Sequence, residues 1–390
     1  MSNSTIFIKT VKKVDHTVFC VDSNGQKSYW DSLFEKKIPY SSGQQVKRSI
    51  VTAMLDKLGI EPSPFILKWE ASKQSNGTPK IEFKNGYYQK CTPIHPDQLV
   101  GGWMVLNSSK KDNAPEIKND EPENENEDTE TEENTETANQ PKAKSIKRRS
   151  PLSISAMTPL HPLLANICKE GISLDKRETP NTEIVVKSGK TQLTDDEIQE
   201  LLLQKPEHNF KNTYVFDNTR ASGLFVQNIA IDLKRLFAIS LDINEPEVQP
   251  AVIEELKTEG WTVQKDNRGE YLLAPKSYRD ELIPGIAYAL VNWTINSNQS
   301  RTYSPMETLA LSISDNANSI ATSIYAKLDS GNNDKQIAIP VIHPDTQNVD
   351  VFITPQAQGF FPNIEPNKVN PNAMNEAITK LTELFSNFEY

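Results

Sequence analysis

The N-terminal segment alternates apolar and polar side chains with the period of a β-strand. Ile6 and Ile8 begin this pattern, and Val18 lies in a second apolar stretch that follows it. Asn24-Gly25, just beyond, is a common hairpin turn because both residues tolerate the positive φ angles that a tight turn requires. The sequence therefore predicts strands joined by a hairpin in the first part of the chain.

The pattern changes at Ser42 to the period of an amphipathic helix. Val46, Ile50 and Met54 recur every four positions, which places their side chains on one face. Ser42 is the expected N-cap, since its hydroxyl can accept a hydrogen bond from the first turn. Gly59 is the expected residue that ends the helix, because glycine readily adopts the left-handed conformation found there.

Later segments repeat both periods in an irregular order. We expect extended segments at 81–88, 99–106, 224–236, 286–295 and 308–313, a hairpin at 261–274, and helices at 248–259 and 373–388. Strands and helices are interspersed without regular βαβ spacing. The expected fold class is therefore α+β.

A change of composition interrupts the chain after its first quarter. Residues 111–140 contain 12 acidic and 2 basic side chains and almost no apolar ones. Such a segment buries too little surface to offset the entropy lost on ordering, so 107–144 is predicted to be an acidic disordered loop. It is either a spacer between two domains or a loop inside one. We favour one discontinuous domain, 1–106 with 145–390, which requires strands on both sides of the loop to share a sheet.

This loop also explains the charge of the protein. The 390 residues carry a formal net charge of −10, but outside 111–140 there are 40 basic and 40 acidic side chains. A neutral body can still contain a basic groove, so the overall charge does not exclude nucleic acid. The three cysteines form no CxxC pair, and no apolar run is long enough to span a membrane. The N-terminus has no secretory signal pattern, and we expect a cytoplasmic protein.

The sequence lacks the common signatures of nucleotide- or metal-dependent enzymes, including GxGxxG, GxxxxGK[ST], HExxH and GxSxG. No cofactor is expected. Two His-Pro-Asp turns, at His95 and His343, could supply acid–base groups or ligands. The alternative, which we favour, is a proline turn in which the aspartate caps the following segment.

The helix that begins at Ser42 carries polar groups suited to phosphate. Gln44, Lys47 and Arg48 are spaced i, i+3 and i+4, so they share a face near the helix N-terminus. The unpaired N–H groups at that end add partial positive charge, and an anion is their natural ligand. The alternative interpretation is an ordinary solvated helix face.

This helix start also resembles a known family. Tyr40 to Ile50 is similar to the Ser-Ser-Gln-x-x-Lys-Arg helix start of the RAMP-type backbone subunit of CRISPR Cascade complexes, the Cas seven family. Gly43 replaces the second serine of the family. Three further stretches resemble the family in the same order and bring the similarity to most of the chain, from Ile6 to about Pro305: they are His95 to Met104, Arg148 to Ser155, and Ala221 to Leu233.

The resemblance implies an architecture and a set of partners. The fold would be a modified RRM-like (ferredoxin-like) palm with an inserted web region and a β-hairpin thumb at about 205–223. The partners would be CRISPR RNA, further copies of the chain in a helical filament, other Cascade subunits at the filament ends and belly, and the target DNA strand paired to the guide. The function would be antiviral defence by a cytoplasmic ribonucleoprotein, with no membrane partner.

The resemblance also implies which residues contact RNA. Aromatic residues in the polar stretch 209–222 would wedge beside a displaced base, and an arginine there would contact the RNA backbone. Polar residues after the segment ending at Ile295 would add further contacts. The predicted RNA-binding residues are Ser42, Gln44, Gln45, Lys47, Arg48, Arg149, Phe216, Asn218, Arg220, Ser222, Gln299 and Arg301. No catalytic or metal-binding residue is expected.

Two other functions remain open from the sequence. The first is a type III-like backbone subunit that cleaves target RNA with Asp31, which lies in a loop upstream of the same helix. The Gln-Gln-Val-Lys-Arg start favours type I instead, and we expect Asp31 to cap or bridge within its loop. The second is a general RNA-binding protein of an unrelated RRM type, although no RNP1-like aromatic motif supports it.

Overall fold

The structure is a computed structural model, and strands and helices follow one another in it without a regular repeat. It describes residues 4–22, 25–73, 79–105, 146–175, 183–205, 212–296, 302–329 and 336–390, apart from the side chains of 170–175 and 212–218. The helices are α1 (Gly43–Leu58), α2 (Pro96–Gly101), α3 (Asp195–Gln204), α4 (Leu233–Leu236), α5 (Pro250–Thr258), α6 (Lys276–Asn292), α7 (Ala317–Ser323) and α8 (Ala373–Ser386), with short 3₁₀ turns at Pro162–Leu164, Pro355–Gly359 and Pro366–Lys368.

The strands vary from two residues to 21. They are β1 (Thr5–Thr17), β2 (Val21–Asp22), β3 (Gly25–Gln26), β4 (Ser28–Asp31), β5 (Lys36–Pro39), β6 (Phe65–Lys73), β7 (Pro79–Tyr88), β8 (Trp103–Val105), β9 (Ile146–Arg148), β10 (Leu152–Ile154), β11 (Thr158–Pro159), β12 (Ala165–Asp175), β13 (Lys187–Ser188), β14 (Thr191–Gln192), β15 (Asn212–Asp232), β16 (Ala238–Ser240), β17 (Thr262–Asp266), β18 (Gly269–Leu273), β19 (Thr308–Ser314), β20 (Ile324–Asp329), β21 (Ile337–Ile342) and β22 (Asp350–Ile353).

The central sheet has the strand order β2-β3-β15-β1-β19-β22, and β10, β11 and β12 also pair with the long β15. Its pairs are antiparallel except that of β3 with β15. Ile6 pairs with Ile231 and Ile8 with Ile313, so the alternation of β1 points one set of apolar side chains into the core. Helices α1, α6 and α8 pack in series beside this sheet. The predicted α+β class is confirmed.

Helix α1 follows its prediction closely. The Ser42 hydroxyl accepts a hydrogen bond from the Gln45 N–H at 3.3 Å, and Val46, Ile50 and Met54 are buried. Gly59 has a φ of 65° and its N–H returns to the last-turn carbonyls. The predictions at 81–88, 248–259, 261–274, 308–313 and 373–388 are also confirmed. The segment 224–236 is extended to Asp232 and then forms the short helix α4.

Two predicted extended segments were wrong. Residues 286–295 lie mostly in α6, and 99–106 is divided between the end of α2 and β8. Ile286, Leu290 and Val291 are all buried, because α6 is enclosed by α1 and α8. An apolar run that is buried on several sides has neither a strand period nor a helix period, so periodicity could not identify it.

The strands on either side of the acidic insert pair directly with each other. Trp103 is opposite Arg148 and Val105 is opposite Ile146 in the β8–β9 ladder. This is the arrangement that a loop inside one domain requires. The predicted disordered loop lies outside the described residues.

A long two-stranded ribbon extends from the central sheet. Strand β12 runs along β15 from Ala165, opposite Gly223, to Asp175, opposite Asn212. The thumb hairpin was predicted at about 205–223, but its 212–223 part pairs with 165–175 rather than folding back on itself. The sequence between the two arms contains the β13–β14 hairpin and α3. Sequence pattern alone did not identify the distant partner strand.

Candidate nucleic-acid interface

The start of α1 is fixed against the segment that follows β10. Ser41 and Met157 exchange two backbone hydrogen bonds, each of 3.0 Å. A Cβ atom at Gly43 would lie 2.6 Å from the Ile154 carbonyl oxygen and 3.1 Å from that of Ser155. This close approach leaves no room for a Cβ atom at position 43 unless the helix start shifts. It places the first turn of α1 directly on the Arg148 to Ser155 stretch.

Side-chain hydrogen bonds hold a second stretch, His95 to Met104, beside the first turns of α1. The Lys47 ammonium donates a 2.6 Å hydrogen bond to the Gly101 carbonyl. The Ser150 hydroxyl donates a 2.7 Å hydrogen bond to the Val100 carbonyl. The end of α2 is therefore held between α1 and the chain that leaves β9.

Strand β15, with the first residue of α4, contains the remaining stretch, Ala221 to Leu233. The Ser155 N–H donates to the Asn228 carbonyl at 3.0 Å, and the Asn228 N–H donates to the Ser155 hydroxyl at 3.1 Å. The Gln227 amide donates to the Ser155 carbonyl at 2.8 Å. All four sequence stretches that resemble the family thus meet around the beginning of α1, although they are widely separated in sequence.

The predicted cationic face of α1 is not uniform. Gln44 and Arg48 are exposed, whereas Gln45 and Lys47 are partly buried. Burial lowers the pKa of Lys47 to about 8, because an ammonium loses hydration there and meets a carbonyl rather than a carboxylate. Lys47 therefore mainly links α1 to the end of α2 within the protein. Arg48 is the α1 cation that is presented to solvent at this end.

Arg48 borders a polar cleft of about 420 Å³ between α1 and the end of α6. The lining is rich in amides and hydroxyls and contains one carboxylate: Gln45, Arg48, Ser49, Thr52, Ala53, Asp56, Asn292, Thr294 and Asn296. The predicted residues Gln299 and Arg301 follow Asn296 closely in sequence but lie outside the described residues. The sequence did not point to Asn292, because the segment 286–295 that contains it was predicted to be a strand. A helical α6 brings it to α1.

The basic cluster before Ser150 divides into two roles. Arg148 is 2% exposed and donates hydrogen bonds to the carbonyls of Ala238 and Arg235, each of 2.9 Å. It also forms an ion pair of 3.2 Å with buried Glu247. Burial lowers the pKa of Arg148, and Glu247 opposes that shift. Arg149 is exposed beside a second cleft of about 370 Å³. Of the pair, Arg149 is the one whose side chain is presented to solvent.

Two of the predicted ribbon residues, Arg220 and Ser222, make contacts within the protein. Arg220 is 7% exposed, and its guanidinium donates to the Thr219 carbonyl at 3.2 Å. The Arg220 side chain is therefore largely enclosed by the protein, and its predicted contact with RNA phosphate stays a prediction. The Ser222 hydroxyl accepts a 2.9 Å hydrogen bond from the His16 N–H, which links β15 to the end of β1. The side chains of Phe216 and Asn218 lie outside the described residues.

Asp31 lies at the turn between β4 and β5. One of its carboxylate oxygens accepts hydrogen bonds from the N–H groups of Leu33, at 3.0 Å, and Phe34, at 2.9 Å. This is the capping arrangement expected when an aspartate closes a turn. In the described ranges, His, Cys, Asp and Glu side chains form no group of three that could hold a metal ion.

The two His-Pro-Asp turns use their aspartates structurally. The Asp97 carboxylate accepts hydrogen bonds from the Ser63 N–H and hydroxyl at 3.0 and 2.6 Å. Asp345 forms an ion pair of 2.8 Å with Lys368. His343 contacts the Tyr325 hydroxyl at 3.0 Å. Both aspartates thus contact residues distant in sequence, and these contacts are not the capping of the following segment that the favoured interpretation predicts.

No protein-family model and no curated protein matches this chain. The solved structures similar to it include chains of CRISPR RNA-guided surveillance complexes. One, described as a "CRISPR RNA-guided surveillance complex, pre-nicking", is 9% identical with a TM-score of 0.40, and the match covers 98% of this chain and 89% of that chain. Another, described as a "CRISPR RNA-guided surveillance complex", is 10% identical with a TM-score of 0.37, and the match covers 96% of this chain and 99% of that chain.

None of the helices in the described part of the chain combines the length and apolar character that a membrane crossing requires.

Proposed function

We propose that this chain is a CRISPR RNA-binding backbone subunit of a type I interference complex. The observation that carries the proposal is the convergence of four family-like stretches at the start of α1. Each stretch is tied there by a specific backbone or side-chain contact, as in Lys47 with Gly101 and Ser155 with Asn228. The order of the four stretches along the sequence does not dictate that they meet in space. A chain that shares the family's architecture must have both properties.

In this proposal the central sheet with α1 is the RRM-like palm, and the β12–β15 ribbon is the thumb. Arg48 and Gln44 contact guide phosphates and sugars beside the polar cleft, and Arg149 adds a second phosphate contact. Lys47 positions α2 rather than binding RNA. Target DNA is recognised by base pairing to the guide, so the protein needs no base-specific contacts.

The direct test is co-expression with a CRISPR array, followed by purification of the chain and sizing of the bound RNA. We expect a discrete RNA of uniform length. Replacing Gln44 and Arg48 together by Ala should reduce the bound RNA several-fold. It should also flatten the salt dependence of binding, because one lost phosphate contact lowers the slope by about 0.7 for a single strand.

Lys57→Ala is the matched control for this test. It removes a cation from the last turn of the same helix, where the ammonium lies 4.9 Å from the centre of the Tyr288 ring. RNA binding by this variant should match that of the parent protein. A purified chain that carries no discrete RNA, or a Gln44/Arg48 variant that binds as well as Lys57→Ala, would refute the proposal.

We further propose that the role is binding rather than cleavage. The support is the Asp31 carboxylate, one oxygen of which accepts hydrogen bonds from two backbone N–H groups of its own turn. Incubating the assembled complex with matched target RNA should give no cleavage at a regular interval. Regular cleavage that disappears in Asp31→Ala would assign an endoribonuclease function instead.

A further inference from the structure

The β4–β5 hairpin presents a tryptophan to solvent. Trp30 is 61% exposed, and the ladder places Lys37 directly opposite it. Side chains of directly opposite residues lie on one face of the strand pair, with their Cβ atoms about 5 Å apart. Lys37 is also exposed, and its ammonium forms no hydrogen bond or ion pair with any residue that the structure describes. One face of the hairpin therefore offers an aromatic ring beside a solvated cation.

The other face of the same hairpin is fixed within the protein. Ile38 is buried, and the Lys36 ammonium donates hydrogen bonds to the carbonyls of Pro162, at 3.0 Å, and Ala165, at 2.9 Å. Ala165 is the first residue of β12, so the hairpin is anchored at the base of the β12–β15 ribbon. Asp31 belongs to this face by alternation. The tryptophan is thus held on a fixed backbone, with the Asp31 carboxylate on the opposite side.

The hairpin leads directly into the start of α1. The Gln26 side-chain amide donates hydrogen bonds to the carbonyls of Lys27 and Tyr40, at 2.9 and 3.0 Å, which fixes the end of the hairpin nearest the helix. The N-cap Ser42 follows Lys37 by five residues, which is at most about 18 Å of extended chain. A nucleic-acid strand with one phosphate per about 3.4 Å covers that distance with about five nucleotides. A strand held at the first turn of α1 therefore reaches the hairpin.

The size of the exposed patch distinguishes a base from a protein partner. Trp30 and Leu33, which is 82% exposed at the hairpin tip, each present roughly 150 Å², or on the order of 300 Å² together. A standard protein interface buries about 800 Å² on each partner, so this patch is too small to form one by itself. A single nucleobase matches one face of an indole ring, and such stacking tolerates any base.

We propose that Trp30 stacks on an unstacked nucleobase and that Lys37 contacts the phosphate beside it. The inference deepens the proposed function and rests on it, because it adds a contact, on a different element, to the strand held at α1. The base belongs either to the guide RNA or to the target strand, and the chemistry of the stack is the same for both. The carboxylates of Asp31 and Glu35 balance the two lysines of β5, so stacking supplies the main attraction and Lys37 positions the phosphate.

Tryptophan fluorescence measures occupancy of this site directly. Of the five tryptophans, all of which the structure describes, Trp103, Trp261 and Trp293 are at most 5% exposed and Trp69 is 57% exposed. In a Trp69→Phe background, Trp30 is therefore the only exposed tryptophan. Adding a single-stranded RNA to the full chain, freed of RNA by high salt, should quench its emission and protect it from acrylamide. Quenching that grows with protein concentration in the absence of RNA would assign the patch to a protein contact and overturn the proposal.

Affinity gives the second readout. Trp30→Ala should weaken binding of the same RNA by about 5- to 150-fold, as expected when one stacked base loses its ring, and Trp30→Phe should stay within about threefold of the parent. Trp69→Ala is the matched control, since it removes a similarly exposed tryptophan from the β6–β7 hairpin and should bind as the parent does. A Trp30→Ala protein that binds as tightly as Trp69→Ala would overturn the stack and leave the proposed function standing.

A photo-cross-link identifies the strand that supplies the base. 5-Iodouracil, which couples to a stacked aromatic side chain on irradiation, is placed at successive positions of the guide RNA in one series and of the target DNA in another. A cross-link to Trp30 from either strand, mapped by mass spectrometry, supports the proposal and names the source of the base. No cross-link from either strand overturns it. If the chain carries no CRISPR RNA but single-stranded RNA still quenches and cross-links Trp30, the stacking site stands and the proposed function fails.

Discussion

Lys12 is a buried cation without a carboxylate partner among its described contacts. It is 2% exposed, and its ammonium donates to the Thr308 hydroxyl at 2.9 Å and the Met306 carbonyl at 3.3 Å. It also lies 4.7 Å from the centre of the Trp293 ring. Burial lowers the pKa of Lys12 from 10.5 to about 7, because these neutral groups replace water only in part.

This shift predicts a dependence of stability on pH. Between about pH 7 and pH 10.5 the unfolded state holds the Lys12 proton and the folded state releases it, so the free energy of unfolding rises with pH. The difference between parent and Lys12→Met should rise by up to about 1.4 kcal/mol per pH unit in this window. Urea unfolding at pH 7, 8 and 9 measures it.

Lys13→Met is the control for this measurement. The pKa of Lys13 is raised by its hydrogen bond to Asp15, so its contribution should stay constant over the same pH range. A flat difference for Lys12→Met as well would show that the Lys12 ammonium keeps its ordinary pKa in the fold.

Arg148 and Arg149 offer a second comparison at the residue scale. Arg148→Ala should lower the free energy of unfolding by about 3–5 kcal/mol, because it leaves the buried Glu247 carboxylate with fewer partners and several carbonyls without a donor. Arg149→Ala should change it by less than about 0.5 kcal/mol, since that side chain is exposed. Urea unfolding of the two variants compares them, and equal losses would contradict the assigned roles.

At the scale of elements, the position of α1 depends on the close approach at Gly43. Gly43→Ala places a Cβ 2.6 Å from a backbone carbonyl, so the helix start must shift, at a cost of about 1–3 kcal/mol. Gly101→Ala is the control, because its Cβ would meet nothing within 4 Å. Unfolding in urea gives the two costs. A Gly43→Ala protein as stable as Gly101→Ala would mean that α1 moves freely on β10.

At the scale of the whole molecule, the acidic insert contributes charge to a body whose formal charges otherwise balance. Replacing 107–140 by a short Gly-Ser linker should leave the fold intact, since Val105 and Ile146 already pair beside the insertion point. Non-specific DNA affinity at low salt should rise several-fold, because like-charge repulsion is removed. Fluorescence anisotropy with a random duplex measures this.

The control keeps the length of the insert and changes its acidic residues to amides. If charge is the cause, this variant should gain DNA affinity as the shortened one does, and the gain should vanish at high salt. Unchanged affinity in both variants would exclude an electrostatic role for the insert.

The sequence by itself determined the elements whose apolar residues recur on one face. Helix α1 has an apolar stripe with a serine cap and a terminal glycine, and the 261–274 hairpin has a glycine turn between alternating strands. These signals are local, so they can be recognised without knowing which other elements pack against the helix or hairpin. The order of the four stretches that resemble the family was also determined by the sequence, because order along the chain does not depend on the fold.

Tertiary structure alone decided the rest. Helix α6 is apolar on most sides because α1 and α8 enclose it, and this removed the period that would have distinguished it from a strand. The partner of 212–223 is a strand more than thirty residues earlier, which no local pattern specifies. Lys47 and Arg48, like Arg148 and Arg149, are neighbours of the same chemical type, and only packing determines which of each pair is buried and which meets solvent. Local sequence specifies a side chain's chemistry and face, whereas its burial depends on elements that arrive from elsewhere in the chain.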